Sequence, residues 1–362
     1  MYLERFRPTD VRFVCGLSGY FHKDLQAVKQ SPKYDSLADD IAPVTSGFKK
    51  VVQAGEVISI LLRLPNGTVA IGECVDVIFS GTASRDSLFI LKEHLPLLNT
   101  VVRPWLLECD VLKFRPNAVK IDQPWPELGN KRLHTAVRYG LSQALLSATA
   151  LANKYILASC HRNDHHQLDR MIMKRVALLP HASFVHSVAQ RIQERGDPGY
   201  RPQLHFDVYG TIGDAFTDTE IPDFLKKLDK ESQIRRLHQI KKILASRRIN
   251  VKIVADEWCN ILDDIQDFAD ADAVDYVQVK TPDLGSLHNT IDAVMYCVKE
   301  NIGCCLGGSA NETDISARIT TQVALATQPQ FLLSKPGIGA DEGLMILTNE
   351  MIRTLALLDN EG

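Results

Sequence analysis

Lys280 ends the β-branched run Val277-Gln278-Val279-Lys280, and Thr281-Pro282-Asp283 turns the chain immediately after it. In a strand, alternation puts Gln278 and Lys280 on one face and Val277 and Val279 on the other. If the valines pack on helices, the lysine points to the opposite, interior side. An ammonium there is costly unless it is paired or deprotonated, so Lys280 is a candidate general base. Other polar groups also stand at the ends of β-rich runs. His181 follows VALLP (176–180), Asp207 lies in QLHFDVYG (203–210), Asp256 and Glu257 end VKIVADE (251–257), and Ser309 follows GCCLGG (303–308). Each has a commonplace role as well, since a strand-end aspartate often caps a turn and a lone histidine is usually a satisfied loop residue. Together, a lysine and hard carboxylate ligands suit proton abstraction beside a carboxylate, with a divalent cation stabilising the resulting enediolate.

Such groups act together only if several strand ends converge. The runs above, with DYVQVK (275–280) and FLLSKPG (331–337), alternate with helical patterns. Leu287, Ile291, Val294 and Val298 form one helix face that ends near Gly303, and Leu133, Val137, Leu141 and Leu145 recur every four residues in another. Repeated β–α units predict a parallel sheet with helices outside it. The pattern alone leaves a closed barrel and an open doubly wound sheet both open. In a barrel, active groups sit at the C-terminal strand ends.

Upstream, residues 57–64 and 69–74 flank Pro65-Asn66-Gly67, a hairpin signal, with glycine-bearing loops expected at GLSGYF (16–21) and SGTASRD (80–86). The polar, proline-bearing stretch 115–128 reads as a boundary between an α+β domain, 1–125, and a β/α domain, 126–362. Residues 221–246 read as one helix whose apolar stripe (Ile221, Phe224, Leu228) restarts out of phase at Ile234, Leu237, Ile240 and Leu244. That slip suggests two helix halves joined where something else could stand.

The 362 residues carry a net charge of −3, which gives no support for a nucleic-acid partner, and Lys226-Lys227 reads as a solvated helix face. The eight cysteines include no C-x-x-C pair and several lie in apolar runs, as expected of a reducing compartment. The charged start MYLERFRPTD lacks a signal-peptide core and no run reaches transmembrane length, so a soluble cytoplasmic protein with no membrane association is expected.

The segments GLSGYF, GECVDVIFSGTASRD, NKRLHTAVRYGLSQA, LPHA, HFDVYGTIG, VADEWCN, VQVKTPDLG, GGSANET and KPGIGADEGLMI resemble the methylaspartate ammonia-lyase (3-methylaspartase) family of the enolase superfamily, over most of the chain. The resemblance implies a TIM-like (β/α) barrel with an N-terminal α+β capping domain. It also implies a homodimer that uses Mg²⁺, with a monovalent cation such as K⁺ as activator. The implied reaction eliminates ammonia from L-threo-3-methylaspartate to give mesaconate, in glutamate degradation. Carried over by motif, Lys280 is the base for the (2S,3S) substrate and His181 serves the opposite face. Asp207 and Asp256 are Mg²⁺ ligands, and Gln278, Ser309, the backbone at Ala310 and Leu333 line the substrate site.

The chain departs from the family in places. Ser309-Ala310 stands where members usually have Thr-Cys. A strand carrying a third ligand, a glutamate, is expected between those of Asp207 and Asp256, and no such strand is read here. A first barrel strand with its glutamine near 171–177, and much of the helix between His181 and Asp207, also look shortened. Two further readings therefore stand beside the lyase: a family member lacking a competent metal site, or another enolase-superfamily dehydration.

Overall fold

The computed structural model describes residues 6–30, 41–81, 83–154, 204–207, 229–334 and 339–358, with backbone alone at 204–207. His181 with VALLP, and Lys226-Lys227, lie outside them. The first sheet has three antiparallel strands in the order β1 (Asp10–Lys23), β2 (Val52–Arg63) and β3 (Val69–Cys74). Gly67 takes φ +87° in the β2–β3 turn, where Asn66 Oδ1 accepts from the Thr68 amide and hydroxyl, so the predicted hairpin forms.

GLSGYF is not a free loop. It belongs to β1, whose register with β2 shifts between Leu17, opposite Glu56, and Phe21, opposite Ala54. The extra residues bulge over Gly55, where a Cβ would meet Ser18 Oγ at 1.9 Å. The 115–128 stretch, read as a boundary, is partly helical. It holds α4 (Phe114–Asp122), with Pro116 in the first turn, where amides lack helical partners anyway. Short helices α1 (Leu25–Gln30), α2 (Leu91–Leu97) and α3 (Arg103–Glu108) complete this part, with a π turn between the last two.

Helix α5 (Thr135–Asn153) lies across β3 at a glycine contact. A Cβ on Gly72 would meet the Gly140 carbonyl oxygen and the Ala144 amide nitrogen at 2.3 Å, and one on Gly140 would meet the Cys74 nitrogen at 2.6 Å. Both obstacles are backbone and cannot swing away. This explains a glycine in a helix interior, where it costs about 1 kcal/mol against alanine.

The second sheet is parallel, in the unbroken order β4 (Leu204–Asp207), β5 (Val251–Ala255), β6 (Tyr276–Lys280), β7 (Gly303–Gly307) and β8 (Phe331–Leu332). Helices α6 (Lys230–Ser246), α7 (Leu262–Asp270), α8 (Leu287–Lys299), α9 (Asp314–Thr327) and α10 (Ala340–Leu358) alternate with these strands. Sequential order with no reversal fits a barrel wall and not a doubly wound sheet, which reverses at its switch point. Val277, Val279, Cys304 and Leu306 pack in the main core, whereas Val254, Tyr276, Cys305 and Phe331 form a separate cluster on the other face.

The 221–246 segment is not one helix. Asp229, with φ −70° and ψ 170°, is the N-cap of α6, and its Oδ1 accepts from the Ser232 amide at 2.8 Å. The phase slip therefore marks a helix start, while the upstream half lies outside the described residues.

Gly72→Ala is expected to destabilise the protein by roughly 1–3 kcal/mol through overpacking against backbone, read as a lowered melting temperature in scanning calorimetry. Gly129→Asn, at φ +65° with nothing near its added Cβ, should leave the melting temperature almost unchanged.

Candidate active site

Parallel pairing sets Val254 opposite Tyr276 and Ala255 opposite Val277, so the C-terminal ends of β5 and β6 lie side by side. Asp256 follows β5 directly, and Lys280 is the last residue of β6. The Lys280 Nζ lies 2.5 Å from Asp256 Oδ1, with the two side chains 12% and 1% exposed. Asp256 Oδ1 nevertheless has no hydrogen-bond partner, so the contact is one of charge, off the hydrogen-bonding direction. Trp258, two residues on, holds φ +65°, an uncommon conformation for an aromatic residue.

Around this pair stand further buried charges. Arg85, from the capping loop after β3, places its Nε 3.0 and 3.1 Å from the two carboxylate oxygens of Asp283, and both side chains are 4% exposed. Asp283 belongs to the turn that follows Lys280. The same capping loop is fixed at Ala83, whose carbonyl accepts from Asn260 Nδ2 at 2.5 Å. Burial pushes the Glu257 carboxyl up to about 7, helped by the Asp256 charge and opposed by Lys280 and Arg85. Burial alone would lower Lys280, but Asp256, Glu257 and Asp283 outweigh it and Arg85, so the ammonium form is favoured.

A second network holds the lysine strand from behind. Thr281 Oγ1 and the Tyr139 hydroxyl both donate to Glu312 Oε1, at 3.2 and 2.7 Å. Burial and the Glu312 charge raise the Tyr139 pKa well above its usual value, so the phenol stays a donor. Thr313, next to Glu312, donates to Glu73 of β3, which also accepts from Ser59. Helix α5 and β3 are thereby tied to the loop after β7.

That loop carries Ser309, which is buried and accepts from the Asn311 amide at 3.2 Å, and half-buried Ala310. Asn311 in turn accepts from Ser18 Oγ and from the Gly19 amide, both at 3.1 Å, so the β1 bulge rests on the same loop. The Gln278 side chain lies over Gly307, where a Cβ would meet its Nε2 at 3.0 Å. Leu333 follows β8, with its amide donating to Leu306 at 3.1 Å. Lys280 and Asp256 are thus in contact, and Gln278, Ser309, Ala310 and Leu333 lie on the same strands or at their C-terminal ends. Position 207 ends β4 in register with Val254, two residues short of Asp256, and its side chain is outside the described residues, as is all of His181. Arg85, Asp283, Glu312 and Tyr139 were not singled out by sequence pattern, although all four fall within quoted motifs.

Among the described residues no set of three or more His, Cys, Asp or Glu is arranged to hold a metal ion. Asp256 suits a hard cation as a buried carboxylate on the strand paired with the one that carries position 207, and because its Oδ1 already contacts the Lys280 ammonium, a cation there would share Asp256 with that contact. Among the described residues no helix is long and apolar enough to cross a membrane.

The fold is shared with distantly similar solved structures. Muconate lactonizing enzyme from Pseudomonas fluorescens (TM-score 0.54, 14% identity, 89% of this chain and 85% of that one) and dipeptide epimerase from Enterococcus faecalis (0.55, 13%, 91% and 89%) share the architecture. Much closer likeness is found to methylaspartate ammonia-lyase of Citrobacter amalonaticus. Its sequence is 41% identical over 96% of this chain and 98% of its own, and its structure with (2S,3S)-3-methylaspartic acid gives TM-score 0.83 over 98% and 100%. Methylaspartate ammonia-lyase 1 of Carboxydothermus hydrogenoformans is 40% identical, covering 97% of each chain. The Mg complex of β-methylaspartase from Clostridium tetanomorphum gives TM-score 0.82 at 34% identity, covering 98% and 100%.

The family model for the methylaspartate ammonia-lyase N-terminus matches residues 6–165, and that for the C-terminus matches 149–233 and 220–360. The chain belongs to the methylaspartate ammonia-lyase family. The alignments to relatives run over 407 and 408 positions against 362 residues here, so the relatives carry segments without a counterpart. The two C-terminal matches overlap at 220–233, beside the phase slip.

Tyr139→Phe should cost roughly 1–3 kcal/mol, because it takes a hydrogen-bond donor from buried Glu312. A urea denaturation midpoint equal to that of the parent would contradict this role.

Proposed function

We propose that the chain is an Mg²⁺-dependent carbon–nitrogen lyase that eliminates ammonia from L-threo-3-methylaspartate to give mesaconate. The observation that carries this reading is the buried Lys280–Asp256 contact at two adjacent strand ends, in a chain of this family. The relatives bound to (2S,3S)-3-methylaspartic acid and to Mg support it.

Lys280 acts as the neutral amine, so its ammonium must first lose a proton, and its Nζ then takes the C3 proton of the (2S,3S) substrate. The electron pair left at C3 forms the C2–C3 double bond as the C2–N bond breaks, and ammonia leaves. His181 serves the opposite face for the other C3 epimer. Gln278 and Ser309 orient the substrate through amide and hydroxyl, the Ala310 backbone contributes beside them, and Leu333 supplies apolar contact. Asp256 and Asp207 would hold Mg²⁺, which when bound supplies positive charge to the substrate carboxylate as the proton leaves. The reading extends to a capping domain at 1–125 on a barrel at 126–362, a cytoplasmic homodimer with K⁺ as activator, and a place in glutamate degradation.

A specific observation favours a second reading, in which the metal site is impaired: β4 pairs directly with β5, leaving no place between them for a strand bearing a third ligand. Calorimetric titration separates the two readings. The lyase reading expects Mg²⁺ to bind at roughly 1 mM or somewhat weaker, as suits a reduced carboxylate count. Silence at tens of that concentration would favour the impaired member.

Adding protein to threo-3-methylaspartate and Mg²⁺ should generate the ultraviolet absorbance of mesaconate. Lys280→Ala should lower kcat on the order of a hundred- to ten-thousandfold, the usual contribution of a positioned base. A kcat close to that of the parent would overturn the base assignment.

A further inference from the structure

Arg85 is a charged side chain of the capping loop that runs inward: the residue as a whole is partly exposed, yet its side chain is 4% exposed. Its Nε is taken by both carboxylate oxygens of Asp283. Its Nη2 is buried and has no hydrogen-bond partner. A buried guanidinium N–H without an acceptor is expensive, and arginine forks match carboxylates in particular.

The loop that delivers Arg85 is held at both sides of the mouth. Ala83 is tied to Asn260, four residues after Asp256, and Arg85 is tied to Asp283, three residues after Lys280. Ala83 and Ser84 adopt φ of +49° and +63°, conformations that non-glycine residues hold only where the surroundings impose them. Arg85 also lies within electrostatic range of Asp256, Glu257 and Lys280. One end of the guanidinium is therefore anchored, and the unpartnered Nη2 is buried on a side chain within electrostatic range of the charges of the candidate site.

We propose that Arg85 is a substrate-contacting residue whose Nη2 donates to a carboxylate oxygen of the dicarboxylic amino acid, while Asp283 holds the guanidinium in place. The assignment rests on the lyase reading for the identity of the substrate. It makes Arg85 a determinant of specificity for two carboxylates over one.

The test uses binding, so it does not depend on turnover. The full chain is titrated calorimetrically with mesaconate in Mg²⁺. It is then titrated by competition with two monoacids that each replace one carboxylate by methyl, (E)-2-methylbut-2-enoate and 3-methylbut-2-enoate. Arg85→Gln should raise the mesaconate Kd on the order of ten- to a hundredfold. It should weaken one monoacid comparably and leave the other unchanged, which identifies the carboxylate that Arg85 holds. Arg85→Lys, which keeps the charge facing Asp283 but not the fork, should show the same ordering with a smaller change, and it serves if the glutamine variant does not fold. Equal weakening of both monoacids, or no change in mesaconate binding, would overturn the proposal by reducing Arg85 to a tether for its loop. A parent chain that binds the monoacids but not mesaconate also overturns it. A parent chain that binds none of the three overturns the lyase reading and, with it, the substrate assigned to Arg85.

Discussion

The contact between Lys280 and Asp256 is the constraint around which the rest of the site is organised. Both side chains are almost wholly removed from water, and a lone buried charge of either sign would be far more costly than the pair. The pair is not isolated. Glu257 adds a further acidic group, and Arg85 with Asp283 adds one charge of each sign. Cations and anions are therefore nearly balanced in a small volume, and burial, with the Asp256 charge, raises the Glu257 pKa. Such an arrangement is stable only if the chain holds each group in position. Two strands of one sheet supply Lys280 and Asp256, and a loop from the other sheet supplies Arg85.

The positioning depends on joints between the two halves of the molecule. Gly72 and Gly140 let α5 approach the backbone of β3, and Gln143 on the same helix donates to the Glu73 carbonyl at 2.9 Å. From that platform, Tyr139 reaches Glu312 and Glu73 reaches Thr313, both in the segment that follows β7. The β1 bulge rests on Asn311 in the same segment. The loop bearing Ser309 and Ala310 is thus gripped from the capping side, while Arg85 and Ala83 grip the ends of β5 and β6. The capping residues do not merely shield the barrel. They set where its loops lie, which is how residues remote in sequence acquire a common geometry.

Much of this was legible in the sequence, for a reason specific to strands. Period-two alternation reports which face a residue occupies, so the valines of β6 could be sent to the helices and Lys280 with Gln278 to the other side, as the packing shows. The Asn66-Gly67 hairpin was legible because its turn requires a positive φ at one position. The bulge in β1 was not, since a glycine-bearing run looks the same whether it is a loop or a strand with extra residues. Arg85 is not legible in the sequence for a similar reason: a loop has no period, and only the fold reveals that this side chain turns inward to Asp283. The out-of-phase stripe at 221–246 was noticed correctly, but pattern alone could not distinguish a fused helix from the new start that Asp229 caps.

The same region bears on the metal. Four residues of β4 pair directly with β5, from Leu204 opposite Val251 to Asp207 opposite Val254. The two strands thus lie directly beside each other. Adjacent parallel strands are about 4.8 Å apart, and each residue advances about 3.3 Å. The register puts position 207 two residues below Asp256, so the two Cα positions are separated by roughly 8 Å on these spacings. Two aspartates at that separation can share one cation, whereas an intervening strand would place them about one strand spacing further apart and put a third side chain between them. Under the proposed metal site, direct pairing would trade a ligand for proximity. Oxygen count governs how tightly a hard cation is held, while proximity to Lys280 governs what the cation can stabilise. On the proposed function, direct pairing of β4 with β5 would therefore weaken the grip on the ion more than it would displace the ion from the substrate carboxylate.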